Sequence, residues 1–122
     1  MESTDFPDLM TSPCNYCWAS ICMFGYEFFG VVLLVLAINI SEGNVAAIGV
    51  SLFVILLISG PLTGGHHNPA VSLGVLINKE ITYSRSIQFL IYISAQFLGA
   101  ILAAEICLKL VPDKEKGFSH LP

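Results

Sequence analysis

The segment Gly64-Gly65-His66-His67-Asn68-Pro69-Ala70-Val71-Ser72-Leu73-Gly74 sets an Asn-Pro-Ala triplet between two strongly apolar stretches. Asn is a favoured helix N-cap and Pro suits the first helical position, so a short helix is expected to begin at Pro69. Its first amides and the Asn68 side chain would be free to face a polar path. Irregular backbone at membrane depth is tolerated only where it is buried in protein or lines a water-filled cavity.

The rest of the chain supports a membrane setting. Its 122 residues are 55% hydrophobic and only 11% charged, with a mean hydropathy of +0.77. Soluble domains carry roughly 25% charged residues. A chain this small has no soluble core large enough for so much apolar surface. The net charge is −4, with Glu2, Asp5 and Asp8 clustered near the N-terminus. Five Lys plus Arg and no basic cluster exclude a nucleic-acid binder. The acidic N-terminus lacks the positive region of a secretory signal and the Arg-rich character of a transit peptide, so the first span is expected to act as its own insertion signal.

About 20 apolar residues cross a bilayer. Residues 1–17 read as a polar tail. Spans are expected at about 18–40, 45–62 and 85–111, with a re-entrant half-helix at about 69–77 and a polar tail at 112–122. Gly60-Pro61 is expected to end or kink the second span. The expected fold class is therefore an all-α membrane protein with three transmembrane helices and one half-helix. Three spans put the two termini on opposite sides of the membrane. Lys79 and Arg85 on one side are balanced by Lys109, Lys114 and Lys116 on the other, so the positive-inside rule gives no orientation.

In this order, the pattern resembles the aquaporin and glycerol-facilitator channels, the major intrinsic proteins. The resemblance rests on Glu27-Phe28-Phe29-Gly30 in the first span, on the string Gly65 to Gly74, and on Tyr92-Ile93-Ser94-Ala95-Gln96-Phe97-Leu98-Gly99-Ala100 in the third. It covers about residues 22–111. Members of that family consist of two such units in inverted orientation, an arrangement common in membrane transport. This chain carries one, with a single Asn-Pro-Ala triplet. Val71 stands where the family's second triplet is followed by a filter Arg.

The resemblance implies roles for individual residues. Asn68 would donate hydrogen bonds to solute at the pore centre, in a positive field that discourages cations and protons. The plainer alternative is a helix cap alone. Gly64 and Gly65 permit a tight backbone path, and the carbonyls of residues 64–67 would line one wall as acceptors; a simple flexible turn is the alternative. Glu27 is a costly acid inside an apolar helix. It would hold the loop by accepting from its backbone amides, a structural buttress rather than a catalytic acid; the alternative, a proton relay, has no visible carboxylate or Lys partner inside the spans. Pro69, Ala70 and Gln96 join it as expected loop supports. Glu105, near the end of the third span, is expected to reach the interface.

His66 matches a family-typical His, whereas His67 falls where the family more often has an apolar residue. Adjacent histidines can signal metal or pH sensing, but no third ligand is near them in sequence and no metal site is expected. Ile48 aligns with a filter position that is often aromatic in water channels. An aliphatic residue there makes the filter less polar, unless Ile48 faces only lipid or core. Gly30, Ala95, Gly99 and Ala100 are small residues suited to close helix crossing.

Cys14 and Cys17 form a lone C-x-x-C without the second pair a zinc site needs. They read as small apolar residues at a helix entrance, with a disulfide left open. No nucleophile–base–acid set, phosphate loop or cofactor motif points to an enzyme.

The functional expectation is a passive channel for water or small neutral solutes, completed by a second half repeat. That half would be another copy in inverted orientation or a different chain. The alternative is a non-transporting structural subunit of a larger membrane complex. A polar Asn68 loop facing lipid would be unstable, so both readings require a protein or tightly held lipid over that face. A third reading, a fragment of a longer polypeptide, is mildly opposed by the polar end beyond Pro112.

Overall fold

A computed structural model describes residues 13–79 and 83–110. The two tails, His120 and the side chain of Cys14 lie outside the described residues. Four helices follow in chain order: α1 (Pro13–Ile40), α2 (Val45–Thr63), α3 (Pro69–Asn78) and α4 (Tyr83–Leu110). Three of them, in α1 from Tyr16 onward, are long and apolar enough to cross a membrane, and α3 is too short. The chain is an all-α integral membrane protein.

Local chemistry explains the boundaries. Ser41, Glu42 and Gly43 turn the chain after α1, with Glu42 at φ 53° and Gly43 at φ 81°. Asn44 then caps α2 by accepting the Ala47 amide at 3.1 Å. Gly64 closes α2 in the left-handed region at φ 83°, its N–H bonded to the Gly60 carbonyl at 2.9 Å. Left-handed backbone after a helix is the usual place for Gly. Asn68 caps α3 and Pro69 occupies its first position.

Some edges differ from the sequence expectation. The first helix starts at Pro13, five residues before the apolar run, because Pro is tolerated in a first helical turn. Pro61 does not stop α2, which continues to Thr63. Pro61 has no amide for the Leu57 carbonyl, but the turn around it is held by the Gly64 N–H on the Gly60 carbonyl at 2.9 Å and by the side chains of Ser59 and Thr63, which bond back to the carbonyls of Ile55 and Ser59 at 2.8 and 3.2 Å. The half-helix runs one residue further, to Asn78, and α4 begins at Tyr83.

The central element is α1, which packs against both α2 and α4, while α3 lies on α4. The α1–α4 crossing is close. A Cβ added at Gly99 would stand 2.5 Å from the Phe28 carbonyl oxygen, and Ala95 and Ala103 are fully buried. Gly30 serves a different purpose from the expected helix crossing: an added Cβ there would meet the His67 ring at 2.2 Å.

The interior combines apolar residues such as Met23, Val31, Val32 and Ile55 with a cluster of polar ones, and the exterior is apolar. Glu27, Ser59, Thr63, His67, Ser72 and Gln96 are buried, while Trp18, Phe29, Phe53, Leu57 and Phe97 are exposed. Lipid supplies the apolar surroundings that such a surface needs.

Candidate functional site

Glu27 organises the polar interior. It is fully buried in the middle of α1, and its carboxylate collects donors from three other parts of the chain. The His66 amide reaches Oε1 at 3.0 Å and the His67 amide reaches Oε2 at 2.7 Å. The Thr63 hydroxyl stands 3.1 Å from Oε1, and the Gln96 amide donates to Oε2 at 2.8 Å. Hydrogen bonds to a carboxylate are stronger than neutral ones and are what make a buried acid tolerable. One side chain therefore ties α1 to the end of α2, to the loop and to α4.

The loop itself is strongly constrained. Gly64 and Gly65 adopt φ of 83° and 61°, and His67, which is not a glycine, adopts 44°. A Cβ on Gly65 would also press on Leu56 at 2.8 Å and Ser59 at 3.2 Å. The His67 conformation costs energy for a residue with a Cβ. Its amide bond to Glu27 and the contact of its ring Nε2 with the Ser59 hydroxyl, at 2.7 Å, offset that cost, while Nδ1, 3.5 Å from Glu27 Oε2, is buried without a hydrogen-bond partner. The Gly65 amide bonds Thr63 Oγ1 at 3.3 Å, and the Tyr92 hydroxyl donates to the Thr63 carbonyl.

Below the loop, α3 starts at Asn68. Asn68 Oδ1 accepts the Ala70 amide at 2.9 Å, and its carbonyl accepts the Ser72 amide at 3.0 Å. Asn68 is exposed. With Oδ1 engaged by the cap, the two amide hydrogens of the side chain remain for an outside acceptor. The α3 N-terminus adds a partial positive charge at the same place. Next to it, the His66 ring packs on Tyr92 with centroids 4.6 Å apart, and its Nδ1 lies 3.1 Å from Ser72 Oγ.

The structure thus gathers Glu27, Gly64, Gly65, His66, His67, Asn68, Pro69, Ala70 and Gln96 around one loop. It does not bring Ile48 into that cluster. Ile48 is half-buried in the first turn of α2, about 22 Å along the helix from Thr63. Glu105 is exposed. Among the described residues, no group of three His, Cys, Asp or Glu is placed to hold a metal ion. Cys17, Cys22 and Cys107 are free thiols.

Four participants carry no role in the sequence reading: Ser59, Thr63, Ser72 and Tyr92. Three of them had a visible signal. Ser59 and Thr63 stand four residues apart on the largely apolar α2, and Tyr92 and Gln96 stand four apart on α4. Polar residues at that spacing share one helix face, and in a membrane helix that face turns inward.

Comparison with known proteins agrees with this architecture. The family model described as major intrinsic protein matches residues 17–121. Mouse aquaporin-5 is 38% identical over 71 residues, which are 58% of this chain and 26% of the relative. The glycerol uptake facilitator protein-like 6 of Lactiplantibacillus plantarum is 38% identical over 86 residues, 64% of this chain and 38% of the relative. Bovine aquaporin-1 is 37% identical over 78 residues, 62% and 28% respectively. The chain therefore spans well under half the length of the curated relatives it matches. No solved structure matches it.

Proposed function

This chain belongs to the major intrinsic protein family, and from that premise we propose that it forms one half of a passive channel for water or small neutral solutes. A second half repeat completes the pore: another copy in inverted orientation, or a different segment or chain. The observation that carries the reading is the Asn68 site. An exposed carboxamide has its oxygen fixed by the helix it caps and its N–H groups turned outward, beside a loop held by Glu27.

The chemistry suits a neutral solute with an oxygen atom. Asn68 offers donors, the carbonyls of residues 64–67 offer acceptors, and the α3 N-terminus disfavours cations. Glu27, Gln96, Pro69 and Ala70 support the loop and do not touch solute. Ile48, remote from this cluster, would act only at a separate constriction along the path. The exposed Asn68 loop requires a covering surface in the membrane, which the second half supplies. Lipid covers the remaining apolar faces.

The test begins with mild detergent extraction and the native mass of the intact particle. Self-assembly into dimers, or tetramers of dimers, is the expected result. Proteoliposomes of that particle are then expected to shrink faster than protein-free vesicles under an osmotic step, and Asn68→Asp to lose most of that flux. A much heavier particle of many different subunits, with no flux above background, would instead assign a structural role.

A further inference from the structure

A chain of hydrogen bonds leads from Glu27 to His66, and its polarity follows from the chemistry of each member. A carboxylate only accepts. Gln96 Nε2, at 2.8 Å from Glu27 Oε2, is therefore the donor end of that amide. Its second hydrogen is directed at Ser72 Oγ, 3.0 Å away. The carbonyl Oε1 of Gln96 is left buried without a partner. Such an orphan is costly, and the carboxylate explains it: turning the amide over would place two acceptors against each other.

Ser72 Oγ then has one lone pair occupied by Gln96 and one hydrogen to give. His66 Nδ1 stands 3.1 Å from it. If Nδ1 donated instead, both lone pairs of Ser72 Oγ would be filled and its own hydrogen would have no acceptor, since of the two side chains bonded to it Gln96 is a donor and only His66 Nδ1 can accept. The relay therefore runs in a single direction, and it puts the ring hydrogen of His66 on Nε2. That nitrogen lies over exposed Gly64, where an added Cβ would be 3.3 Å away.

We propose that Glu27, acting through Gln96 and Ser72, locks His66 in its Nε2–H tautomer, and that this N–H is a second donor, beside Asn68, for an oxygen atom of the solute. The donor role rests on the channel reading above; the tautomer lock does not. Ser72 and Gln96 are positioning residues that never meet the solute. The consequence is specificity for acceptors. Water, polyols and carbonyl compounds offer an oxygen to both donors, whereas an ammonium ion offers none.

The tautomer is read directly by nitrogen-15 NMR of histidine-labelled protein in lipid bilayers at neutral pH. The His67→Asn and His120→Asn variants identify the His66 signals by subtraction. The expected spectrum has a lone-pair-bearing Nδ1 and a protonated Nε2. Ser72→Ala is expected to lower the tautomer ratio roughly fivefold, the weight of one hydrogen bond, and Ser72→Thr to restore it. A wild-type ring protonated at Nδ1, or a Ser72→Ala spectrum identical to wild type, would overturn the lock. Stopped-flow glycerol and water flux in Ser72→Ala liposomes tests the donor role separately. The lock with no flux in any variant would retire the channel reading and leave the relay standing. Flux unchanged by Ser72→Ala, despite an altered tautomer, would remove His66 from the solute path.

Discussion

The loop junction and the outer face of α2 are built from the same nineteen-residue helix, yet they differ in what holds them. Towards α1, α2 buries Ser59 and Thr63, and both are hydrogen-bonded to partners fixed by Glu27 or His67. Away from α1, it presents Phe53 and Leu57, each more than half exposed. The inner side is specified by directional bonds and does not depend on surroundings. The outer side is specified only as apolar, and its final environment is lipid or another protein. A membrane helix can thus be exact on one face and permissive on the other, because water is absent from both and only polar groups have something to lose.

The hardest blow to that contrast is the loss of Glu27. Glu27→Ala leaves the His66 and His67 amides and the Gln96 amide buried without their acceptor. The expected cost is about 3–5 kcal/mol, measured as reduced resistance to denaturant in micelles and as protease cleavage within residues 64–68. A smaller effect is expected from Gly99→Ala, whose methyl would meet the Phe28 carbonyl at 2.5 Å. Backbone cannot yield as a side chain does, and overpacking of this kind costs about 1–3 kcal/mol in the same unfolding measurement.

Gly30→Ala sharpens the comparison further, since its methyl meets a side chain, the His67 ring. It is expected to destabilise by about 1–2 kcal/mol, and to cost measurably less in a His67→Ala background. A double-mutant cycle reads that coupling; strict additivity would show that the two residues do not share the space. Asn68→Ala removes the α3 cap and is expected to cost about 1 kcal/mol, with helical content falling only in that segment by hydrogen exchange. At the bottom of the scale, Leu57→Ala on the bare face, 61% exposed, is expected within about 0.5 kcal/mol of wild type for the isolated chain. A larger loss in the assembled particle would identify that face as an interface.

The fold was largely legible because its signals are local. Apolar length announced the three long helices, and Asn68 and Pro69 announced where the short one begins. The edges that differ are also local in origin: Pro13 opens a helix before its apolar run, and Pro61 falls where a helix is ending anyway. The site was legible in part. Glu27 stood out as an acid inside a span and Asn68 as a cap beside Pro, while Gln96 entered only through the family resemblance. Ser72 gave no signal, and the spacing of Ser59 with Thr63 and of Tyr92 with Gln96 marked a face but no partner, because a hydroxyl is cheap in a helix and reveals its partner only when another element arrives. The pairing of Ser72 with Gln96 joins residues 24 apart, and no spacing rule within one helix anticipates it. Nor does sequence reveal that Gly30 makes room for an imidazole and not for a helix.

The carboxyl of Glu27 is synthesised long before anything that can satisfy it. Its donors follow 36, 39, 40 and 69 residues later. At roughly 5–20 residues per second, that is an interval of about 2–14 s. For that time α1 carries an uncompensated acid and is a poor resident of the lipid. The first helix therefore enters the bilayer on its apolar length alone, and gains the stability that its acid withholds only when the loop returns to it.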